Sequence, residues 1–209
     1  KNPTKKDKEI FFLDIAQLRK KIFVPITLGG GIRTVEDASM CFLNGADKIL
    51  LNTSIYDSAL MENISDIYGE QAISIMIDYL RSEGKGDDKI YIKDGSEYKI
   101  ELSSFFEDYY NNIPCGEIIL NSIEDDGTGN GLDLRIINKI PANIKNKPLL
   151  LMGGAGKAEH IFQGLKYKNI SGIVTANLFN FLGTGLEISR KKSLDNKISL
   201  ANFDTEIKI

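Results

Sequence analysis

Pro25-Ile-Thr-Leu-Gly-Gly-Gly-Ile-Arg33 is a short apolar run that ends in three glycines and leads through Thr34 into an amphipathic pattern over Val35–Leu43. Continuous apolar runs of this kind suit strands of a parallel sheet buried on both faces. Glycines at such a strand end let backbone amides approach an anion, and the helix N-terminus that comes next adds a favourable dipole. Thr34 is the expected N-cap, with Asp37 at the capping-box position. The arrangement returns at Pro148-Leu-Leu-Leu-Met-Gly-Gly154, followed by Ala155-Gly156. One glycine loop is no more than a strand-to-helix turn. Two, at matching places, point to a duplicated half-barrel with two phosphate sites.

Outward from these loops the chain alternates. Strands are expected at Ile10–Asp14, Phe23–Leu28, Lys48–Asn52, Ile73–Asp78, Glu117–Asn121, Leu149–Met152 and Gly172–Ala176. Helical patterns lie at Val35–Leu43 and near Ser58–Tyr68, Leu102–Tyr110, Leu134–Ile140, Glu159–Tyr167 and Leu186–Lys192. This order implies crossover units and an α/β fold, a (β/α)8 TIM barrel forming a single domain over 1–209. One stretch departs from the rhythm. Lys89–Lys93, Asp94-Gly95 and Glu97–Leu102 read as a β-hairpin inserted after the fifth strand position, either a plain surface hairpin or a flap over the site.

The halves parallel each other in detail. Glu9–Asp14 matches Glu117–Ser122, and Ala46–Asn52 matches Ser171–Asn177. Yet Glu9 to Pro25 is 16 positions against 31 from Glu117 to Pro148. A crossover with its helix needs about a dozen residues or more, which Ile15–Phe23 can hardly supply. The expectation is that segments of the natural chain are absent. One lies near Ile15–Ala16, in the strand 2–helix 2 region. Another includes a first strand before Ile10.

Composition excludes several classes. The 209 residues carry a net charge of −3 and 42% hydrophobic residues, an ordinary globular balance without the basic stripe of a nucleic-acid binder. No apolar run approaches a membrane span and no signal peptide opens the chain, so a cytoplasmic location is expected. Cys41 and Cys115 make no disulfide framework and read as reduced packing residues. With His160 the only histidine, no His-rich metal cluster exists, no metal or cofactor is expected, and carboxylates are the candidates for acid–base work. His160 reads as packing or capping.

Candidate site residues follow from strand ends. Gly31 with Asn52 and Thr53, and Gly154 with Ala176 and Asn177, are placed to form two anion cups. Asp78 ends the Ile73–Ile77 run and would sit at the barrel mouth, as a general acid or base or as a capping Asp. Asp126 and Gly127 lie in a polar loop after a strand, with a plain turn as the simpler reading. Glu9, Lys48 and Glu117 open strands at the opposite end, as an ion-pair network or as surface charges.

At these residues the chain resembles the cyclase subunit of imidazole glycerol phosphate synthase, a (β/α)8 barrel. The matching segments are Phe12–Ile15, Pro25–Arg33, Gly45–Lys48, Gly116–Ile123, Asp126–Thr128 and Gly153–Gly156. The resemblance implies an enzyme that takes ammonia from a glutaminase subunit docked at the N-terminal barrel face. It uses that ammonia on a bisphosphorylated ribotide, forming an imidazole ring and an aminoimidazole carboxamide ribotide. It makes Asp78 one of two catalytic aspartates. Gly31, Asn52 and Thr53 would hold one phosphate, and Asp126, Gly127, Gly154, Ala176 and Asn177 the other. Glu9, Lys48 and Glu117 would belong to the charged gate of the ammonia channel. The second aspartate and the gate arginine would lie on the absent first strand. Tyr79–Lys99 departs from the family's basic, glycine-containing flap, Asn177 stands where serine is common, and the tail after Leu182 diverges. A paralogous group that passes ammonia into sugar amidination for surface polysaccharides is the alternative enzyme. A non-catalytic barrel that binds a partner or a phosphorylated ligand is the third reading.

Overall fold

Thr34 caps the helix that succeeds the first glycine loop, its hydroxyl accepting from the Asp37 N–H at 3.1 Å. The Asp37 carboxylate in turn accepts from the Arg33 N–H at 3.1 Å. Such local choices recur along the computed structural model, which describes residues 4–84, 86–141, 147–176 and 185–200. In order these are α1 (Lys5–Arg19), β1 (Thr27–Gly29), α2 (Val35–Leu43), β2 (Lys48–Leu51), α3 (Ser58–Tyr68), β3 (Ile73–Leu80), β4 (Lys89–Ile92) and β5 (Glu97–Glu101). Then come α4 (Leu102–Ser104), running on into a π-helical stretch Phe105–Tyr109, β6 (Glu117–Ser122), a 3-10 helix Leu134–Lys139, β7 (Leu149–Met152), α5 (Ala158–Leu165), β8 (Gly172–Val174) and α6 (Gly185–Asp195). Parallel strands alternating with helices make this an α/β fold of the TIM-barrel type.

The chain divides into two compact units, Lys1–Ile119 and Leu120–Ile209, the division falling within β6. In the first unit β1, β2 and β3 run parallel, with Thr27 opposite Lys48 and Leu50 opposite Ser74. The Gly116 N–H donates to the Ile73 carbonyl at 2.8 Å, which leads the chain into β6 beside β3. Ile49, Ile73, Ile75, Met61 and Ile64 are buried to 1% exposure or less and form this unit's core. In the second unit β7 and β8 pair in parallel, and Leu149, Leu151, Ile136 and Phe162 are buried. Cys41 and Cys115 are buried and not joined in a disulfide, and burial, with the Asp37 carboxylate nearby, pushes the Cys41 thiol up. Among the described residues no helix is long and apolar enough to cross a membrane.

The hairpin forms as expected. β4 continues antiparallel from β3, with Asp78 opposite Tyr91. Its reversal places Lys93, Asp94 and Gly95 all at positive φ, which Asp and Gly tolerate best. Two expectations fail. Ile10–Asp14 is not a strand but the middle of α1. Only eight residues separate Asp14 from Phe23, too few for a parallel crossover, and a Thr4–Asp7 capping box starts a helix instead. Glu9 therefore does not open a strand; it is exposed on α1. Nor does a strand precede α1 among the described residues. The second failure is at Phe23–Leu28, where the strand begins only at Thr27. Pro25 has no N–H to donate, and the Ile26 N–H goes to the Asp47 carboxylate at 2.8 Å. Phe23 is left 94% exposed.

Ile64→Ala should lower the free energy of unfolding by about 2–5 kcal/mol, because it empties a fully buried position. Phe23→Ala should stay within about 0.5 kcal/mol of the parent. Urea titration of the two variants separates them; equal losses would contradict the packing described.

Candidate functional site

Side chains on a strand alternate between faces. On β2 this places Lys48 and Leu50 on one face, and continues to Asn52 just beyond the strand. On β3 it places Ser74, Met76 and Asp78 together. The Ile residues between them pack the other face. Each strand thus carries one polar group near its start and another at its C-terminal end.

At the C-terminal end, Asn52 and Asp78 meet. The Asn52 amide donates to the Asp78 carboxylate and to the Met76 carbonyl, each at 3.0 Å. Thr53 is next in the chain, and its hydroxyl oxygen accepts from the Lys93 N–H at 3.1 Å, so the loop of the hairpin rests on this strand end. The Ser54 hydroxyl donates to the Ile32 carbonyl at 2.5 Å and ties the glycine loop to the neighbouring strand. Gly30 and Gly31 have φ of 98° and 70°, and a Cβ at either would meet nothing within 4 Å. The loop is open, bordering a groove of about 890 Å³ that α1 lines with Phe11, Phe12 and Leu13.

In the second unit the matching glycines, Gly153 and Gly154, have φ of 96° and 87°. The sequence repeat is therefore a repeat of backbone conformation. Gly172 lies opposite Leu150 as Lys48 lies opposite Thr27, which makes Ala176 the spatial counterpart of Asn52. The loop carbonyl of Ala155, counterpart of Ile32, accepts from the Thr175 hydroxyl at 3.1 Å. Here the loop is crowded: a Cβ on Gly154 would come within 2.0 Å of the Gly131 carbonyl oxygen, and one on Gly156 within 2.5 Å of Gly129. The result is a cavity of about 210 Å³ that Asp126, Gly127, Gly154 and Ala176 help to line. Ligand pockets for drug-sized molecules run roughly 300–1,000 Å³, so this one suits a small group such as a phosphate. The Asp126 N–H is given to the Ser122 carbonyl at 3.0 Å, so its backbone shapes the loop. His160 accepts from the Gly156 N–H through Nδ1 at 3.2 Å and braces the same loop from the first turn of α5. Asn177 lies outside the described residues.

At the N-terminal end of the first unit's strands, Lys48 and Glu117 form an ion pair at 2.5 Å, their side chains 29% and 18% exposed. Ser74, fully buried, donates to the other Glu117 oxygen at 2.5 Å. Of the three charges expected here, the structure unites two and adds an unforeseen serine. Its position four residues before Asp78, on the same strand face, was the available signal. Thr128, Gly129 and Thr175 also line the second cavity; Thr128 falls in the Asp126–Thr128 segment, and no sequence pattern marks the other two for it.

A family described as "Histidine biosynthesis protein" matches residues 3–184. A protein of Parasynechococcus marenigrum, provisionally named imidazole glycerol phosphate synthase subunit hisF2, is 42% identical over 192 residues, covering 89% of this chain and 69% of that protein. The imidazole glycerol phosphate synthase subunit HisF of Chlorobium phaeobacteroides is 32% identical over 80% of this chain and 66% of its own length. That of Dictyoglomus thermophilum is 32% identical over 89% and 73%. The chain thus spans about two-thirds of the length of these relatives.

Gly154→Ala should cost clearly more stability than Gly31→Ala. Both force a side chain into left-handed backbone, about 1–2 kcal/mol, but only the first also drives a Cβ into a carbonyl. Equal losses in thermal unfolding would count against the cradle geometry. Lys48→Met should lower stability by about 1–3 kcal/mol, since it leaves the half-buried Glu117 carboxylate without its cation; an unchanged urea midpoint would show the pair to be idle.

Proposed function

This chain belongs to the histidine biosynthesis protein family, a family of TIM barrels, and on that premise we propose that it is an ammonia-using cyclase subunit of the imidazole glycerol phosphate synthase type. Its substrate is a bisphosphorylated ribotide, its products imidazole glycerol phosphate and an aminoimidazole carboxamide ribotide. The observation that carries this reading is the Asn52–Asp78 hydrogen bond at the C-terminal strand ends, beside an open glycine loop. In barrels of this type active sites are built from that end.

The roles follow from the chemistry. Ammonia that adds to a carbonyl must shed protons and the leaving oxygen must gain them, work suited to a positioned carboxylate. Asp78 is that group, held by the Asn52 amide. Gly31, Asn52 and Thr53 receive one phosphate. Gly127, Gly154 and Ala176, with Asp126 shaping the loop, receive the other, and Asn177 joins them on the resemblance alone. A glutaminase partner docks at the N-terminal strand ends, and Lys48 and Glu117 stand at the entrance for its ammonia. Glu9, on α1 and exposed, is not assigned to that gate.

A second reading has one observation in its favour. Identity is higher to the hisF2-named relative, 42%, than to the two HisF subunits described above, 32%. A paralogue serving sugar amidination would share the cradles and the ammonia route but not the ribotide. A binding barrel without turnover would share only the cradles.

The deciding assay supplies ammonium and the histidine-pathway ribotide to the protein and follows ring formation. The parent should turn over. Asp78→Asn should lose about 10²-fold or more in kcat while ribotide binding changes little. Weakened binding with undiminished kcat would sink the role of Asp78. A parent that binds the ribotide's phosphates but never turns it over would favour the sugar-amidination paralogue or the non-catalytic barrel.

A further inference from the structure

The hairpin β4–β5 is fastened at both ends. At its base the Ser82 N–H donates to the Asp88 carboxylate at 3.0 Å, the Ser103 N–H to the Asp87 carboxylate at 2.9 Å, and the Leu102 N–H to the Asp88 carbonyl at 2.7 Å. Asp88 is fully buried. At its far end the Lys93 N–H is held by Thr53. The hairpin is thus tied at its base and rests its tip on Thr53. In this arrangement the hairpin stands as a wall beside the end of β3.

What the wall presents is set by register. Asp78 lies opposite Tyr91, and Tyr79 opposite Ile90. Directly paired residues on antiparallel strands share a face, with Cβ atoms roughly 4.5–5.5 Å apart. Tyr79 and Ile90, each 1% exposed, take the core face. Tyr91 therefore stands on the Asp78 face and is only partly buried. Its ring makes an edge-to-face contact with that of Tyr98, centroids 6.1 Å apart at 70°. Asn52 holds Asp78 through a hydrogen bond, whereas Tyr91, on the same face, brings an aromatic ring.

We propose that Tyr91 is a specificity-determining residue that stacks on a planar ring of the substrate and seats that ring beside Asp78. The inference rests on the proposal that the ribotide binds at Asp78, and adds the side chain that receives its conjugated ring. Stacking of a base on an aromatic side chain is lost by alanine and kept by phenylalanine.

Calorimetric titration with two probes tests it: aminoimidazole carboxamide ribotide, which has the ring, and ribose 5-phosphate, which lacks it. The parent should bind the ring-bearing probe about tenfold more tightly. Tyr91→Ala should erase that preference while leaving the ribose 5-phosphate affinity in place, and Tyr91→Phe should keep it. A purely structural role for Tyr91 would weaken both probes together. Equal binding of the two probes by the parent overturns this proposal and leaves the phosphate-site reading standing. Binding of neither overturns both. Because the parent comparison needs no variant, the test survives even if Tyr91→Ala fails to fold.

Discussion

The strand period of two, locked in register, is the constraint from which the site follows. In the first unit Ile49 and Leu51, then Ile73, Ile75 and Ile77, fill one face almost without exposure. Everything polar is thereby assigned to the other face: Lys48 and Ser74 near one end, Asn52 and Asp78 at the other. A slip of one residue between β2 and β3 would carry the carboxylate of Asp78 into the position of Tyr79, in a packed apolar layer where an unpaired charge costs several kcal/mol or more. Close backbone contact supports the same register, since Gly29 lies so near Leu50 that a Cβ would come within 2.8 Å of the leucine Cβ. The site is thus a by-product of hydrophobic packing on the face it does not use.

The glycine loops show how one device yields two different cradles. Their paired φ values match closely, so the turn itself was duplicated. Their surroundings were not. The first loop is open and borders an apolar groove, while the second is wedged against Gly129 and Gly131 and encloses a small cavity. A loop that must meet a larger or reacting part of a ligand gains from openness. One that only anchors an anion gains from rigidity, because preorganised amides need no ordering when the ligand arrives. Bracing by His160 belongs to the second strategy.

Much of this was legible in the residues. Val35–Leu43 and Ser58–Tyr68 show helical periodicity bounded by cap residues, and both helices take those bounds. Leu149–Met152 and the hairpin were readable from apolar runs and an Asp-Gly turn. Ile10–Asp14 has the local look of a strand because its apolar character matches that of its repeat partner, Ile118–Ser122. The difference lies in the chain immediately after it: without residues for a crossover, the same kind of run becomes a helix. Ser74 and Tyr91 were invisible for another reason. Their importance comes from the residue placed opposite them, Glu117 in one case and Asp78 in the other, and such pairing is known only once the register is.

The chain's own nucleophiles bear on where its ammonia comes from. Releasing ammonia from an amide by covalent catalysis calls for a thiolate or an activated hydroxyl with a base beside it. Cys41 is buried, and its surroundings push the thiol toward the protonated form, opposite to what a reactive cysteine needs. Cys115 is buried too, and the Nδ1 atom of His160 is occupied by a backbone N–H. Among the described residues, neither Cys41 nor His160 shows the arrangement that amide hydrolysis asks for. A carboxylate site of the Asp78 kind can use ammonia but cannot liberate it. In the proposed reaction that ammonia is supplied by a glutaminase partner. The half-buried Lys48–Glu117 pair, at the end of the strands away from Asp78, is where the first unit has charge to meet it.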